Sequence, residues 1–175
     1  MANENLGDAK KAKNDEFYTQ YHDIEKEMNA YLDFNKEVFR DKTVLLPCDD
    51  PEWSNFTKYF AQNFTKLGLK KLISTSYSLN SKPEKLDLEP TLFELESPKY
   101  DARKSYENGR ILVLDSDTNG DGVINFEDLE WSYLEGNGDF ASDEVTLLRD
   151  AADIVVTNPP FSLFRKFLAW VVEGQ

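Results

Sequence analysis

Three consecutive runs, Thr43-Val44-Leu45-Leu46-Pro47, Trp53 to Phe64 and Leu69 to Ser76, restrict this chain to a narrow set of folds. The first and third read as short buried strands, and between them Phe56, Tyr59, Phe60 and Phe64 recur at helical spacing. Strand, helix and strand at this separation make a βαβ unit, whose crossover is right-handed and whose strands are parallel. An α/β nucleotide-type fold with a parallel sheet is therefore expected.

The rest of the chain can be arranged around that unit. Residues 1–15 form a polar lead, expected to be flexible, and residues 16–175 form one domain. Glu16 to Phe39 reads as largely helical, with Ile24, Met28, Tyr31 and Leu32 on one stripe. Asn80 to Gly109 is rich in Pro, Lys, Glu and Ser and suggests a long excursion, with short strand pairing around Thr91 to Leu95. Arg110 to Leu114 is another strand. A helix near Ser142 to Asp150 follows, with Ser142 as its N-cap, and then a final strand over Asp153 to Thr157.

With 175 residues, 40% of them apolar and 13% aromatic, the chain can bury one substantial core. No apolar run approaches the length of a bilayer span, and Met1 to Lys13 is polar. A single cysteine, Cys48, excludes an internal disulfide and a cysteine-built zinc site. A cytoplasmic location is expected on these grounds. His22, the one histidine, offers no catalytic centre and reads as a surface residue.

The net charge of −13 is at first sight hostile to nucleic acid, because duplex binding draws on Lys and Arg at phosphates. Its distribution is uneven. No Lys or Arg lies between Arg110 and Arg149, where ten of the 33 carboxylates fall, leaving 23 against 20 basic residues elsewhere. The acidity is local, seven of the ten lying in an acidic insertion at about residues 115–138, and says little about the remaining surface.

The final strand ends abruptly in Asn158-Pro159-Pro160-Phe161. Paired prolines cannot continue a strand, so Asn158 and Phe161 are left projecting from a rigid turn. An amide oxygen, proline carbonyls and an aromatic face together can hold a planar base. A strand-ending turn with no further role has the same composition. After the turn, Phe164, Phe167, Leu168 and Val171 repeat at helical spacing.

Four elements, taken in order, carry a family resemblance: Lys13-Asn14-Asp15-Glu16-Phe17-Tyr18-Thr19-Gln20-Tyr21, Cys48-Asp49-Asp50-Pro51 with Ser54-Asn55-Phe56, Gly138-Asp139-Phe140, and Asn158-Pro159-Pro160-Phe161-Ser162. Together they resemble the EcoRI-type adenine-specific DNA methyltransferases over nearly the whole chain. The resemblance implies a Rossmann-like S-adenosylmethionine-dependent methyltransferase sheet with helices on both faces, incomplete at its C-terminus. It implies that Phe17, Tyr18 and Thr19 pack against the cofactor. Asp49 and Asp50 would pair with its cationic end, at the carboxyl edge of the sheet. Asp139 would accept a hydrogen bond from its adenine amino group, and Phe140 would stack on that ring. Asn158, Pro159, Pro160 and Phe161 would form the catalytic loop, which methylates the amino nitrogen of a flipped adenine.

The chain departs from the broader methyltransferase pattern in two places. From Val44 to Leu67 there is no glycine for a turn after the first strand, and Ser74, Thr75, Ser76 and Tyr77 stand where an acid often binds the ribose. The resemblance also implies double-stranded DNA as partner, read by a C-terminal region expected to be missing. Weak or absent methylation by the isolated chain, and self-association through an exposed sheet edge, are expected to follow.

A second pattern lies in the acidic insertion. Asp117-Thr118-Asn119-Gly120-Asp121-Gly122-Val123-Ile124-Asn125-Phe126-Glu127-Asp128 fits the EF-hand spacing and is similar to the loop of dockerin modules. Calcium would take Asp117, Asn119, Asp121, the Val123 carbonyl, Asn125 and Asp128. The alternative is an exposed hairpin turn, which favours Asn, Asp and Gly for conformational reasons alone. A catalytically inactive, calcium-stabilised interaction module is accordingly the rival to the enzyme.

Overall fold

β1 (Thr43–Leu46) is buried at every residue, and its alternation sets the layering of the molecule. Val44 and Leu46 face one apolar cluster, while Leu45 between them faces another. The computed structural model describes residues 19–48, 54–78, 92–159 and 161–174. The first cluster is covered by α1 (Tyr21–Phe34), α2 (Asn55–Gln62) and α3 (Phe64–Leu67), through Ile24, Met28, Tyr59, Phe60 and Phe64. The second is covered by α6 (Asp143–Ala151) and α7 (Phe164–Glu173), through Val145, Phe167 and Trp170. Helices thus lie on both faces of an α/β sheet, and each fully buried aliphatic side chain contributes about 1.5–3 kcal/mol. The expected lead at residues 1–15 lies outside the described residues, and among the described residues no helix is long and apolar enough to cross a membrane.

β1 pairs in parallel with β2 (Lys71–Ser76) on one side and with β5 (Ile154–Val155) on the other. The βαβ reading is correct here. Ser54 caps α2 by accepting from the N–H groups of Phe56 and Thr57, and the Thr57 and Ser74 hydroxyls meet at 3.0 Å beneath the sheet.

The expectation of an all-parallel sheet is corrected. β3 (Arg110–Leu114) runs antiparallel to β2, and β4 (Glu130–Tyr133) antiparallel to β3, in the order β4-β3-β2-β1-β5. β3 begins opposite Ser76, the residue where β2 ends, so the chain returns down the same edge instead of crossing over. Its burial alternates, unlike that of β1. β4 carries its own alternation in Trp131 and Tyr133, but over four residues inside an acidic segment that signal is weak.

The strand expected near Thr91 to Leu95 is instead a one-turn helix, α4 (Leu92–Leu95). α4 docks through Glu94, which is 1% exposed and pairs with Arg110 Nη1 at 3.1 Å while accepting from the Tyr133 hydroxyl at 2.7 Å. α5 (Ala102–Glu107), capped by Asp101, leads into β3.

Two apolar stripes also differ from expectation. Tyr31 on α1 is 52% exposed, and on α7 the buried residues are Phe167 and Trp170, with Phe164 and Leu168 turned outward. Trp170 sets that orientation. Its indole N–H donates to Thr146 on α6 at 3.0 Å, and Arg149 on α6 stacks over its ring and donates to its carbonyl.

Candidate functional site

The strand order reverses at β1, whose neighbours are β2, next in the chain, and β5, last in the chain. Open α/β sheets bind ligands outside the carboxyl ends of the strands at such a switch point. The residues leaving β1, β2 and β5 at that edge are Pro47-Cys48, Tyr77-Ser78 and Thr157-Asn158-Pro159.

β5 is short and half-buried because it is an edge strand, but its register is held beyond its two ladder residues. Asp153 N–H donates to the Thr43 carbonyl and its carboxylate accepts from Thr43 N–H at 2.8 Å; Val156 N–H donates to the Leu45 carbonyl. The Thr43 N–H, and after it Lys42, hold the Asp153 carboxyl below the usual carboxylate range. Past the ladder, the Thr157 hydroxyl donates to the Pro47 carbonyl at 2.6 Å. Asn158 and Pro159 therefore emerge, half-buried, beside the exit of β1. Pro160 lies outside the described residues, and the Phe161 backbone opens a 3₁₀ turn (Phe161–Leu163) that runs into α7.

After β1, Cys48 has φ +67°, a left-handed conformation that L-residues with a Cβ rarely adopt. The turn for which the sequence offers no glycine is thus made by a cysteine. Asp49 and Asp50, like Phe17 and Tyr18, lie outside the described residues. Thr19 is described, and its carbonyl accepts from Asn55 Nδ2 at 2.9 Å, tying the start of α1 to the N-terminus of α2 behind this turn.

Asp139 reaches the same edge from the opposite end of the sequence. Its N–H donates to Asn137 Oδ1, its Oδ1 accepts from Ala141 N–H at 2.9 Å, and its side chain is 39% exposed. Burial first, then the nearby Cys48 and Asp139, push the Tyr77 phenol well above its ordinary range. Lys166 Nζ, on the helix that follows the Asn158 turn, lies 4.0 Å from Asp139 Oδ2. Cys48, Tyr77, Asp139 and Lys166 therefore gather the ends of β1 and β2, the start of α6 and the first turn of α7. Tyr77 stood in the sequence only as one hydroxyl in a run of four, and Lys166 carried no signal there at all.

Phe140 is not placed to stack on a ligand. It is 1% exposed, and the rings of Phe167 and Trp170 approach it at 5.2 and 5.5 Å. This corrects the expected role: Phe140 anchors Asp139 in the core, and the accessible member of the pair is the acid.

The side chains of the expected calcium set are bonded to the chain's own backbone. Asp117 accepts from Gly120 and Gly122 N–H, Asn119 from Asp121, Asp121 from Val123, and Asn125 from Glu127. Asp128, 1% exposed, turns both oxygens onto the N–H groups of Thr118, Asn119 and Asn125, which hold its carboxyl below the usual range. The segment is the connection between antiparallel β3 and β4, closed by side-chain-to-backbone bonds. Among the described residues no group of three or more His, Cys, Asp or Glu is placed to hold a metal ion.

Comparison with known proteins adds an independent finding. The family model for adenine-specific methyltransferase EcoRI matches residues 5–175. The chain is 45% identical over 173 residues to the type II methyltransferase M.EcoRI of Escherichia coli, covering 98% of this chain and 46% of that protein. It is 35% identical to the type II methyltransferases M.MgeORF184P of Mycoplasma genitalium and M.MpnI of Mycoplasma pneumoniae, in each case over 94% of this chain and 39% of the relative. The chain thus spans less than half the length of these curated relatives. No solved structure matches it.

Proposed function

The chain belongs to the EcoRI adenine-specific methyltransferase family, and on that premise we propose that it carries the cofactor-binding and catalytic-loop part of a DNA adenine N6-methyltransferase. The observation that supports this reading most is the meeting of Asp139 with the exits of β1 and β2, and of the Asn158 turn with the exit of β1, at one sheet edge. The donors there suit S-adenosylmethionine. A part-exposed carboxylate is available to an exocyclic amine, and the Cys48 turn gives the backbone the curvature a glycine usually supplies.

When bound, S-adenosylmethionine supplies an electrophilic methyl group on a sulfonium. Asp139 would accept from its adenine amino group, Asp49 and Asp50 would balance its cationic end, and Phe17, Tyr18 and Thr19 would wall it. The substrate is double-stranded DNA, with the target adenine turned out of the stack and Phe161 on its face. The adenine amino nitrogen is a weak nucleophile because its lone pair is delocalised into the ring. The Asn158 side-chain oxygen and the Pro159 carbonyl accept its two hydrogens, draw the nitrogen toward tetrahedral geometry and stabilise the developing positive charge with fixed dipoles. The rigidity of the proline turn holds that geometry in advance.

Mass spectrometry of nucleosides from duplex DNA incubated with the chain and S-adenosylmethionine tests the assignment. N6-methyladenine is the expected product. Methylation of cytosine, or transfer indifferent to Asn158→Ala, would contradict it.

A further inference from the structure

The Asn158 turn and the turn after β1 are joined by one side-chain bond. Parallel strands hold each other through evenly spaced backbone bonds, and β1 and β5 do so as far as Val156, whose N–H donates to the Leu45 carbonyl at 3.0 Å. The next rung needs the N–H of residue 47, and that residue is proline. The ladder therefore stops at Val156, two residues before Asn158. Thr157 takes over at that point. Its hydroxyl donates to the carbonyl of the same proline at 2.6 Å, at the short end of a well-formed O–H···O bond. Pro47 is buried and Thr157 half-buried, so the bond is sheltered from water. Pro47 precedes Cys48, whose φ of +67° makes the turn that the sequence supplies no glycine for. One carbonyl thus ties the backbone just before the Cys48 turn to the residue just before Asn158. The β-branched side chain of Thr157 has few rotamers to choose from, which makes the tie stiff.

We propose that Thr157 is a positioning residue for methyl transfer: its hydroxyl holds the Asn158 turn at a set distance from the Cys48 turn, and so sets the target amino nitrogen against the methyl donor. The inference rests on the reading of these two turns as the catalytic loop and part of the cofactor seat. Transfer needs nitrogen, methyl carbon and sulfur in line, and a misplacement of about 1 Å can cost about 10²-fold in rate. Binding of the cofactor alone needs no such alignment. Removing the hydroxyl therefore slows transfer and leaves cofactor affinity in place.

The test compares Thr157→Val, which keeps the branched shape and loses the hydroxyl, with Thr157→Ser, which keeps the hydroxyl. For each full chain, single-turnover transfer to adenine-containing duplex is measured at saturating S-adenosylmethionine, and calorimetry with S-adenosylhomocysteine gives the affinity and the number of sites. Thr157→Val is expected to transfer about 10–10²-fold more slowly, with affinity and site number unchanged. Thr157→Ser should stay near the parent rate. A bond that served the fold alone would act differently, lowering rate and site number together as the folded fraction fell. That result, an unaltered rate in Thr157→Val, or an equal loss in Thr157→Ser, overturns the role. Should Thr157→Val fail to fold, Thr157→Ala is set against Thr157→Ser, and equal rates in that pair overturn it as well. Failure of the underlying reading looks different. An unsubstituted chain that binds S-adenosylhomocysteine but transfers no methyl group removes the catalytic assignment, and one that binds nothing removes the proposed function; each takes this inference with it.

Discussion

Asn158 and Cys48 are adjacent consequences of one local problem, how a chain leaves a sheet edge while keeping its backbone in place. Asn158 follows a residue whose hydroxyl is bonded across to Pro47, so its position is inherited from β1 through the Thr157–Pro47 bond. In single-turnover transfer to adenine-containing duplex, Asn158→Ala is expected to lower the rate about 10²–10³-fold, as for other preorganised dipoles, without weakening cofactor binding. A parallel loss of cofactor affinity would show that Asn158 serves the fold instead. At Cys48 the left-handed backbone makes a second expectation. Cys48→Val should destabilise the protein by about 1–3 kcal/mol, because a β-branched side chain at φ +67° is a strained choice. Chemical denaturation reads this directly. That the final strand stops before Asn158 was legible in the sequence because proline geometry is local. The conformation of Cys48 was not, since nothing in its side chain favours a positive φ, and only the fold around it imposes one.

Among the elements, α4 and the segment joining β4 to α6 show most clearly what the linear pattern could not carry. Thr91 to Leu95 has strand-like residues, but the helical turn over Leu92–Leu95 is held by the pairing of Glu94 with Arg110 and Tyr133, which lie far along the chain. The Glu94–Arg110–Tyr133 network that holds α4 down is buried, so removing the Glu94 carboxylate takes an acceptor from both Arg110 and Tyr133. Glu94→Ala is expected to cost about 3–5 kcal/mol by denaturant unfolding; a change below 1 kcal/mol would mean that α4 is held by apolar contact alone. Gly138 belongs to the same scale. Gly138→Ala forces apart the Ser76 and Gly138 backbones as well as occupying a left-handed conformation that itself costs roughly 1–2 kcal/mol, so unfolding at lower temperature with loss of cofactor binding is expected. Retention of both would contradict the close packing. β1, α2 and β2, by contrast, were readable in the sequence because strands buried on two faces and a helix between them leave a pattern within thirty-five residues.

At the scale of the whole molecule, acid stability follows from carboxylates that hold backbone N–H groups. Asp153, which joins β5 to β1, and Asp128, which closes the β3–β4 connection, both have folded-state values below the ordinary one. A depressed carboxyl contributes stability that is complete above its unfolded value, about 3.9, and is lost as pH falls through the folded value. The thermal midpoint should therefore change little on this account from neutral pH to about 5 and fall below about 4, and Asp153→Asn should flatten that fall. An acid limb as steep in Asp153→Asn as in the parent would remove Asp153 from the account.

The molecule's layering, with helices on both faces of the sheet, was implied by the family resemblance, whereas the switch point at β1 follows only from the observed strand order. The antiparallel return of β3 and β4 was not foreseen, since strand direction depends on where a thirty-residue excursion comes back. The functional claim depends on the switch point, and the most direct test of it is calorimetric titration of the chain with S-adenosylmethionine, alongside Asp139→Ala. The account predicts saturable one-site binding that is weakened at least about tenfold in Asp139→Ala. Absence of binding by the unsubstituted chain, or equal binding by both proteins, would contradict it.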